Sequence, residues 1–317
     1  KQALLVFDHF DGVLDQANLL LEILTNAPEI KILLASRQRL NLQSAQLLEL
    51  AGLEYPDSTT SQDLLTFPAV QLFIQRAKKA RSSFIVTPET APWIVSICQI
   101  TSGLPLAIEL AASHLRMLSC QNLFAELEKG LAILSTTTQD IPQNHRSFTA
   151  ALLPSWEKLT DQERNVFARL SIFPDKFSLP AAEAVAEAST EILITLLEKS
   201  LLQETQDGLF FMLPLIQKFA FQQLSKDAPL QQQPLQQHSL YYLSRLQEFA
   251  SDNIVSQKVK LSQFEQEYEN FRLAVEASDR TNPQALPADN RALWERYRQK
   301  ISTADSKTYP QKSSGES

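Results

Sequence analysis

"KQALLVFDHFDGV", residues 1–13, joins an apolar run to two carboxylates. Five apolar residues, Ala3 to Phe7, run straight into Asp8, and a second carboxylate, Asp11, follows three places on. A short, continuous apolar run is the pattern of a strand covered on both faces of a parallel sheet. Such a strand delivers its last polar residue to the C-terminal sheet edge, where ligands of open α/β sheets bind. An aspartate placed there is one way to hold Mg²⁺ beside a phosphate. A core strand that merely ends in charge has the same local sequence, so the rest of the chain must decide.

Outward from this stretch, "LDQANLLLEILTNA" (14–27) has helical apolar spacing, "KILLAS" (31–36) is a second strand, and "LEYP" (53–56) a weaker third. Arg37 follows the second strand and is expected at the same sheet edge as Asp8. From Ser61 the texture is helical, and "TPETAPWIVSICQITSG" ends at Gly103, a natural helix stop. The Gly103-Leu104-Pro105 turn leads directly into the apolar helix "LPLAIELAASHLRML". "STTTQDIPQNH" (135–145) is polar and aperiodic and reads as a linker. Helices over 147–157, 160–171 and 190–201 precede "LLQETQDGLFFML", whose Asp207-Gly208 predicts a hairpin turn. Helices followed by a terminal hairpin give a winged-helix order. The Gln- and Pro-rich "DAPLQQQPLQQ" reads as a flexible connector, helices run from about 236 to 278, and residues 281–317 are expected to be largely disordered.

Composition narrows the function classes. A length of 317 residues with 44% hydrophobic content accommodates several domains with ordinary cores. The net charge of −7 argues against a broad nucleic-acid or acidic-membrane surface. Two cysteines without a CxxC partner fit a reducing cytosol, and no apolar run approaches the ~20 residues of a membrane helix. His9, His114, His145 and His238 lack zinc-site spacing, and no GxSxG elbow is present. None of the six glycines begins a GxxxxGK[ST] phosphate loop.

Taken in order, "LLVFDHFDGV", "KILLASRQRL", "ICQITSGLPLAIELAASHLRMLS", "RSFTAALLPSWEKLTDQERNVFARLSIFPDKFSLPAAEAV" and "LSQFEQEYENFRLAVEAS" resemble the NB-ARC-type branch of the STAND signal-transduction ATPases. The likeness is to the bacterial ATPases attached to transcription-factor domains, and it covers about residues 3–278. It implies an α/β remnant of a P-loop NTPase sheet (1–58), an all-α helical lid (59–134) and a linker (135–146). A winged helix (147–227), the start of a TPR-like helical arm (228–280) and a tail follow. The resemblance makes Asp8 the Walker B carboxylate that orients Mg²⁺ and Asp11 a second acid able to position water. It makes Arg37 the sensor of the γ-phosphate, and places Gly103, Leu104 and Pro105 in the lid motif that packs on adenine. Leu213 stands where the family often carries a phosphate-binding histidine, so that latch is altered. ATP or ADP with Mg²⁺ are the implied cofactors of the intact protein, its phosphate loop falling upstream of Lys1; this chain alone is expected to bind ATP poorly. A solvated Asp11–Arg37 pair and a first-turn proline at 105 describe the same residues without a nucleotide, and a non-enzymatic scaffold is the alternative function.

A winged helix can also read DNA. Residues 155–226 hold seven Lys and Arg against ten Asp and Glu, and "EILITLLEKSLL" (191–202) carries one Lys and no Arg. Phosphate contact and base reading need cations and polar donors. No direct nucleic-acid binding and no membrane association are therefore expected; protein partners or self-assembly through the helical arm are.

Overall fold

The computed structural model describes residues 2–8, 10–13, 16–40, 42, 45–58, 63–137, 142–226, 228–251, 257–281, 291–292, 294–295 and 298–299. The expectation for His9, and that for the tail over 301–317, lie outside these residues. The first apolar run forms strand β1 (Ala3–Phe7), helix α1 (Ala17–Asn26) follows, and the second run forms β2 (Ile30–Leu34). The strands pair in parallel from Ala3↔Ile30 to Phe7↔Leu34. Backbone bonds from Ala35 N to the Phe7 carbonyl (2.8 Å) and from Phe10 N to the Ala35 carbonyl (3.1 Å) carry the pairing past the strand ends.

The sheet departs from the expectation of cover on both faces. Leu4, Val6 and Leu33, on alternate positions of the pleat, are 60%, 63% and 55% exposed. Their neighbours Leu5, Phe7, Ile32 and Leu34 are half-buried, with Phe7 edge-on to buried Phe10 at 6.0 Å. Side chains alternate across a strand, so two strands with one connecting helix shield one face among the described residues. The expected third strand at 53–56 does not form. Leu53 N donates to the Gly103 carbonyl (2.8 Å) and the Glu54 carbonyl accepts from Ala69 N (3.1 Å), so this backbone bonds to the helical layer instead of to β2.

Helices α2 (Pro68–Ala80), α3 (Ala91–Ile100), α4 (Pro105–Ser113) and α5 (Cys120–Lys129) make that layer. Helix α2 starts on a proline, which supplies the φ of a first helical residue, and buries Ala69, Val70, Phe73 and Ala77 along one stripe. Cys98 and Cys120 are free and buried, and burial pushes the Cys98 thiol up to about 12, which leaves it unreactive. The expected linker closes on itself at its ends. Thr136 N donates to the Arg146 carbonyl (2.7 Å) and Phe148 N to the Leu134 carbonyl (2.9 Å).

The next unit comprises α6 (Phe148–Glu157), α7 (Asp161–Leu170), α8 (Leu179–Ala186), α9 (Thr190–Glu198), the hairpin β3 (Gln203–Glu204) and β4 (Phe210–Phe211), and α10 (Pro214–Leu224). A capping box starts α7: Glu163 N donates to Thr160 Oγ1 (3.2 Å) and Thr160 N to Glu163 Oε2 (2.8 Å). The predicted turn is present, with Gly208 at φ +77°, and Phe177 pairs antiparallel with Phe210 as a third member of the small sheet. This 147–226 stretch is called the hairpin unit below.

Three helices follow, α11 (Ala228–Ser251), α12 (Gln257–Gln266) and α13 (Tyr268–Thr281), here called the arm. The described part of the Gln- and Pro-rich connector expected over 227–237, residues 228–237, is instead the start of the 24-residue α11. Glutamine is a good helix former, and Pro234 is buried, four residues before buried His238. Within the expected tail, Trp294 is 5% exposed and stacks on Tyr268 at 5.5 Å. One apolar core runs from the helical layer through the hairpin unit into the arm. Among the described residues, none of its members comes from 2–40.

His238 gives this core a pH dependence. It is 1% exposed and packs against Phe173 and Tyr242, and burial holds it at about 4, the hydrogen bond with Asn270 only partly offsetting this. Neutral histidine is thus favoured in the folded state. Stability is complete above the ordinary 6.5 and is lost as pH falls from 6.5 towards 4, on the order of 3 kcal/mol in all. Glu267 beside it is raised by burial against the hydrogen bonds of Tyr242 and Ser178, and runs the opposite way. The His238 effect is therefore read by difference: thermal midpoints should fall more steeply between pH 7 and 5 in the parent than in His238→Gln. Equal slopes would contradict it.

Candidate functional site

At the C-terminal ends of β1 and β2 the chain brings Asp8, Asp11 and Arg37 to one edge, as the strand pattern implies. Asp8 is exposed just beyond β1. Asp11 lies in a single 3₁₀ turn, Phe10–Gly12. Its Oδ1 accepts from Ser36 Oγ (2.9 Å) and from Arg37 N (2.6 Å), clamping the loop that leaves β2. Partial burial raises this carboxyl, but the Arg37 N–H, the Ser36 hydroxyl and the charges of Arg37 and Lys158 outweigh it, and Asp11 ionises below the usual range.

Arg37 turns towards the hairpin unit. Its Nη1 donates to the Ala151 carbonyl of α6 (2.7 Å), across 114 residues of sequence. Pro154 lies three residues further along α6 and has no N–H to donate to the Ala150 carbonyl, the neighbour of the one Arg37 bonds.

Three further contacts join the sheet edge to the same unit. Lys158 Nζ donates to the Asp11 carbonyl (2.8 Å), Ser200 Oγ to the Arg37 carbonyl (3.1 Å) and Arg39 N to the Glu198 carbonyl (3.2 Å). Behind them Lys199 Nζ sits 3.3 Å from Glu163 Oε2 and 3.4 Å from the Lys158 carbonyl. A small cleft in the seam is lined by Asp11, Arg37, Gln38, Pro154, Ser155 and Lys158. The described residues of 2–40 contribute nothing to the common core, and the contacts named above, which hold them to the hairpin unit, are polar. Contacts of that kind exchange with water at little net cost, whereas an apolar interface does not.

The other expected site residues lie apart from this seam. Gly103 is buried at φ +65°, after Ser102 at φ +51°, and ends α3 with a bond from its N–H to the Cys98 carbonyl (3.0 Å). Leu104 is half-buried as the cap of α4, and Pro105 is exposed at its first position. Leu213 caps α10 and packs against the common core. Lys158, Ser200 and the Ala151 carbonyl were not legible as site groups, since a backbone carbonyl has no sequence signature. The proline within the 148–157 helical pattern was the one available signal.

Asp8 fits a role towards Mg²⁺ in the sense that this ion needs only one or two carboxylates beside waters and phosphates. Asp11 Oδ1 is already committed to Ser36 and Arg37. Among the described residues no three His, Cys, Asp or Glu side chains converge on a metal position, and no helix is long and apolar enough to cross a membrane.

No protein-family model matches the chain. It is 30% identical over 185 residues to an uncharacterized protein of Mycobacterium tuberculosis, covering 58% of this chain and 44% of that protein. It is 29% identical over 190 residues to a protein of the same organism provisionally named an HTH-type transcriptional regulator, covering 60% of this chain and 20% of the relative. The chain thus spans less than half the length of the relatives it matches. A crystal structure of a STAND (signal transduction ATPase with numerous domains) protein with a tetratricopeptide repeat sensor, from Pyrococcus horikoshii, aligns with 95% of this chain and 39% of its own at 14% identity and a TM-score of 0.30.

Proposed function

We propose that residues 2–281 are the switching part of a nucleotide-dependent signal-transduction ATPase with a transcription-regulatory role. The observation that carries this reading is the bond from Arg37, at a sheet edge beside two aspartates, to the Ala151 carbonyl of the hairpin unit. A phosphate that takes the Nη1 edge of the fork competes with the carbonyl on α6. The guanidinium's choice of partner sets whether the seam is closed.

In this reading residues 2–58 are part of a P-loop-type sheet, α2–α5 a lid, the hairpin unit a winged helix and α11–α13 the start of a sensor arm. ATP with Mg²⁺ supplies the phosphate charge that draws Arg37 away. Asp8 holds the metal's water shell, Asp11 keeps the Arg37 loop in place, and Gly103, Leu104 and Pro105 form the turn towards the base. Leu213 offers no donor to a phosphate. The arm recruits protein partners or further copies of the chain. The hairpin unit acts within the molecule and not on DNA: α9 buries Ile192, Leu193 and Leu196, and its adjacent Lys199 is engaged with Glu163.

Titration calorimetry on the natural polypeptide that carries these residues tests the reading. MgATP binding is expected to weaken at least tenfold in Asp8→Asn, with the fold retained because Asp8 is exposed. Residues 1–317 alone, whose six glycines form no GxxxxGK[ST] loop, are expected to bind more weakly than micromolar. Unaltered affinity in Asp8→Asn, or micromolar binding by residues 1–317, would contradict it.

A further inference from the structure

We propose that the docking angle of the arm on the hairpin unit is set by a buried polar register lock, in which Glu267 and Asn270 bind the 176–178 backbone and the side chains of Tyr242 and His238. The lock stands independently of the nucleotide reading.

An aromatic ladder supplies most of the contact between the two parts. Phe173 stacks on Phe177 at 4.2 Å and meets His238 at 5.4 Å; His238 meets Tyr242 at 4.7 Å, and Tyr242 meets Phe271 at 5.0 Å. The hydrophobic part of this attraction has no direction and by itself tolerates sliding.

The polar groups inside the ladder do not tolerate sliding. Glu267 is 7% exposed, and its Oε2 accepts from Tyr242 OH (2.5 Å) and, at 3.4 Å, from Ser178 N. Asn270 is fully buried and uses both ends of its amide. Nδ2 donates to the Lys176 carbonyl (2.7 Å), and Oδ1 lies 3.1 Å from His238 Nε2. The Lys176 carbonyl can only accept, which fixes the amide orientation. Oδ1 can only accept in turn, which fixes the proton of His238 on Nε2. One residue thus ties α13 to α11 and to the hairpin unit at once.

A slip of α13 by one turn in its N-terminal direction brings Phe271 to the place of Glu267 and Ala274 to that of Asn270. Neither can replace these polar side chains. Tyr242 OH and His238 Nε2–H would be buried without partners, and Ser178 N and the Lys176 carbonyl would lose theirs, each at a cost comparable to a lost hydrogen bond. A second pin on α11 acts in the same sense: Arg169 Nη1 pairs with Glu187 (2.6 Å), and its Nη2 donates to Gln233 Oε1 (3.3 Å). A turn of the hairpin unit is therefore transmitted to the arm without slack.

The test is a distance distribution between nitroxide labels on exposed sites of α8 and α12, Glu183→Cys and Glu265→Cys. Cys98 and Cys120 are buried and stay unlabelled. The parent is expected to give one narrow distance. The pair Glu267→Ala with Asn270→Ala should broaden it at least twofold or split it, while Glu267→Gln, which keeps an acceptor, leaves it narrow. If the double variant does not fold, Tyr242→Phe, which removes only the hydroxyl, is read in its place with the same expectation. A broad parent distribution overturns the lock. So does a truncated variant as narrow as the parent, or broadening by Glu267→Gln equal to that by the alanine.

Discussion

Gly103→Ala is expected to lower stability by about 4 kcal/mol and the thermal midpoint by roughly 10 °C, among the largest effects available to a single methyl group. Two causes add. At φ +65° an alanine is strained by about 1 kcal/mol or more. The larger cause is steric: a Cβ on residue 103 would stand 2.0 Å from the Leu53 carbonyl oxygen and 2.9 Å from the Leu53 N and C atoms. These are backbone atoms, so no rotamer change relieves the clash. Separating the strands of chain also breaks the Leu53 N–Gly103 carbonyl bond of 2.8 Å. Gly52 faces the same contact from the other side, its Cβ falling 2.0 Å from the Ser102 carbonyl oxygen. Gly208→Ala is the control: φ is +77° there but nothing lies within 4 Å of a new Cβ. It should cost only the backbone strain, about 1 kcal/mol. Thermal unfolding of the two variants separates the steric from the conformational part, and equal losses would contradict the close approach.

The two strands, the stop at Gly103 and the turn at Asp207-Gly208 were legible because each rests on local chemistry: an apolar run, a residue free to take positive φ, a turn pair. The elements that were not legible depend on distant partners. Residues 53–56 look extended from their composition, yet their backbone groups are taken by Gly103 and Ala69. Residues 228–237 look like a linker from their glutamines and prolines, yet α11 forms there because α8 and α13 supply the surface that one helix face buries. The exposure of Leu4, Val6 and Leu33 was equally hidden, since an apolar run does not say how many layers cover it. At the candidate site, sequence placed Asp8, Asp11 and Arg37 on one edge. The direction of the Arg37 side chain was set by a carbonyl on α6.

Arg37→Ala is expected to loosen the seam. A hydrogen bond from a charged donor contributes about 1.5–3 kcal/mol net, and the half-buried setting of Arg37 places it at the lower end. The bonds from Lys158, Ser200 and Arg39 use backbone carbonyls or N–H groups and survive the substitution. Opening of the seam should therefore become about tenfold more frequent, without unfolding the helical layer. Amide exchange reads this directly: Arg39 N, which donates across the seam to the Glu198 carbonyl, should exchange about tenfold faster, and amides of α2 and α4 at the parent rate. Arg37→Lys keeps the charge but loses the fork, and should fall between the two. Uniform acceleration across all elements would contradict a local seam.

In the proposed switch Arg37 exchanges the Ala151 carbonyl for a phosphate. The most direct test of this exchange is the distance between labels on β2 and α9, at exposed Lys31 and Glu191, in the natural polypeptide with MgADP and with MgATP. We expect one short distance with MgADP, a longer one with MgATP, and in Arg37→Ala no lengthening when MgADP is replaced by MgATP. The same short distance under both nucleotides, or an ATP-dependent lengthening that Arg37→Ala leaves intact, would contradict it.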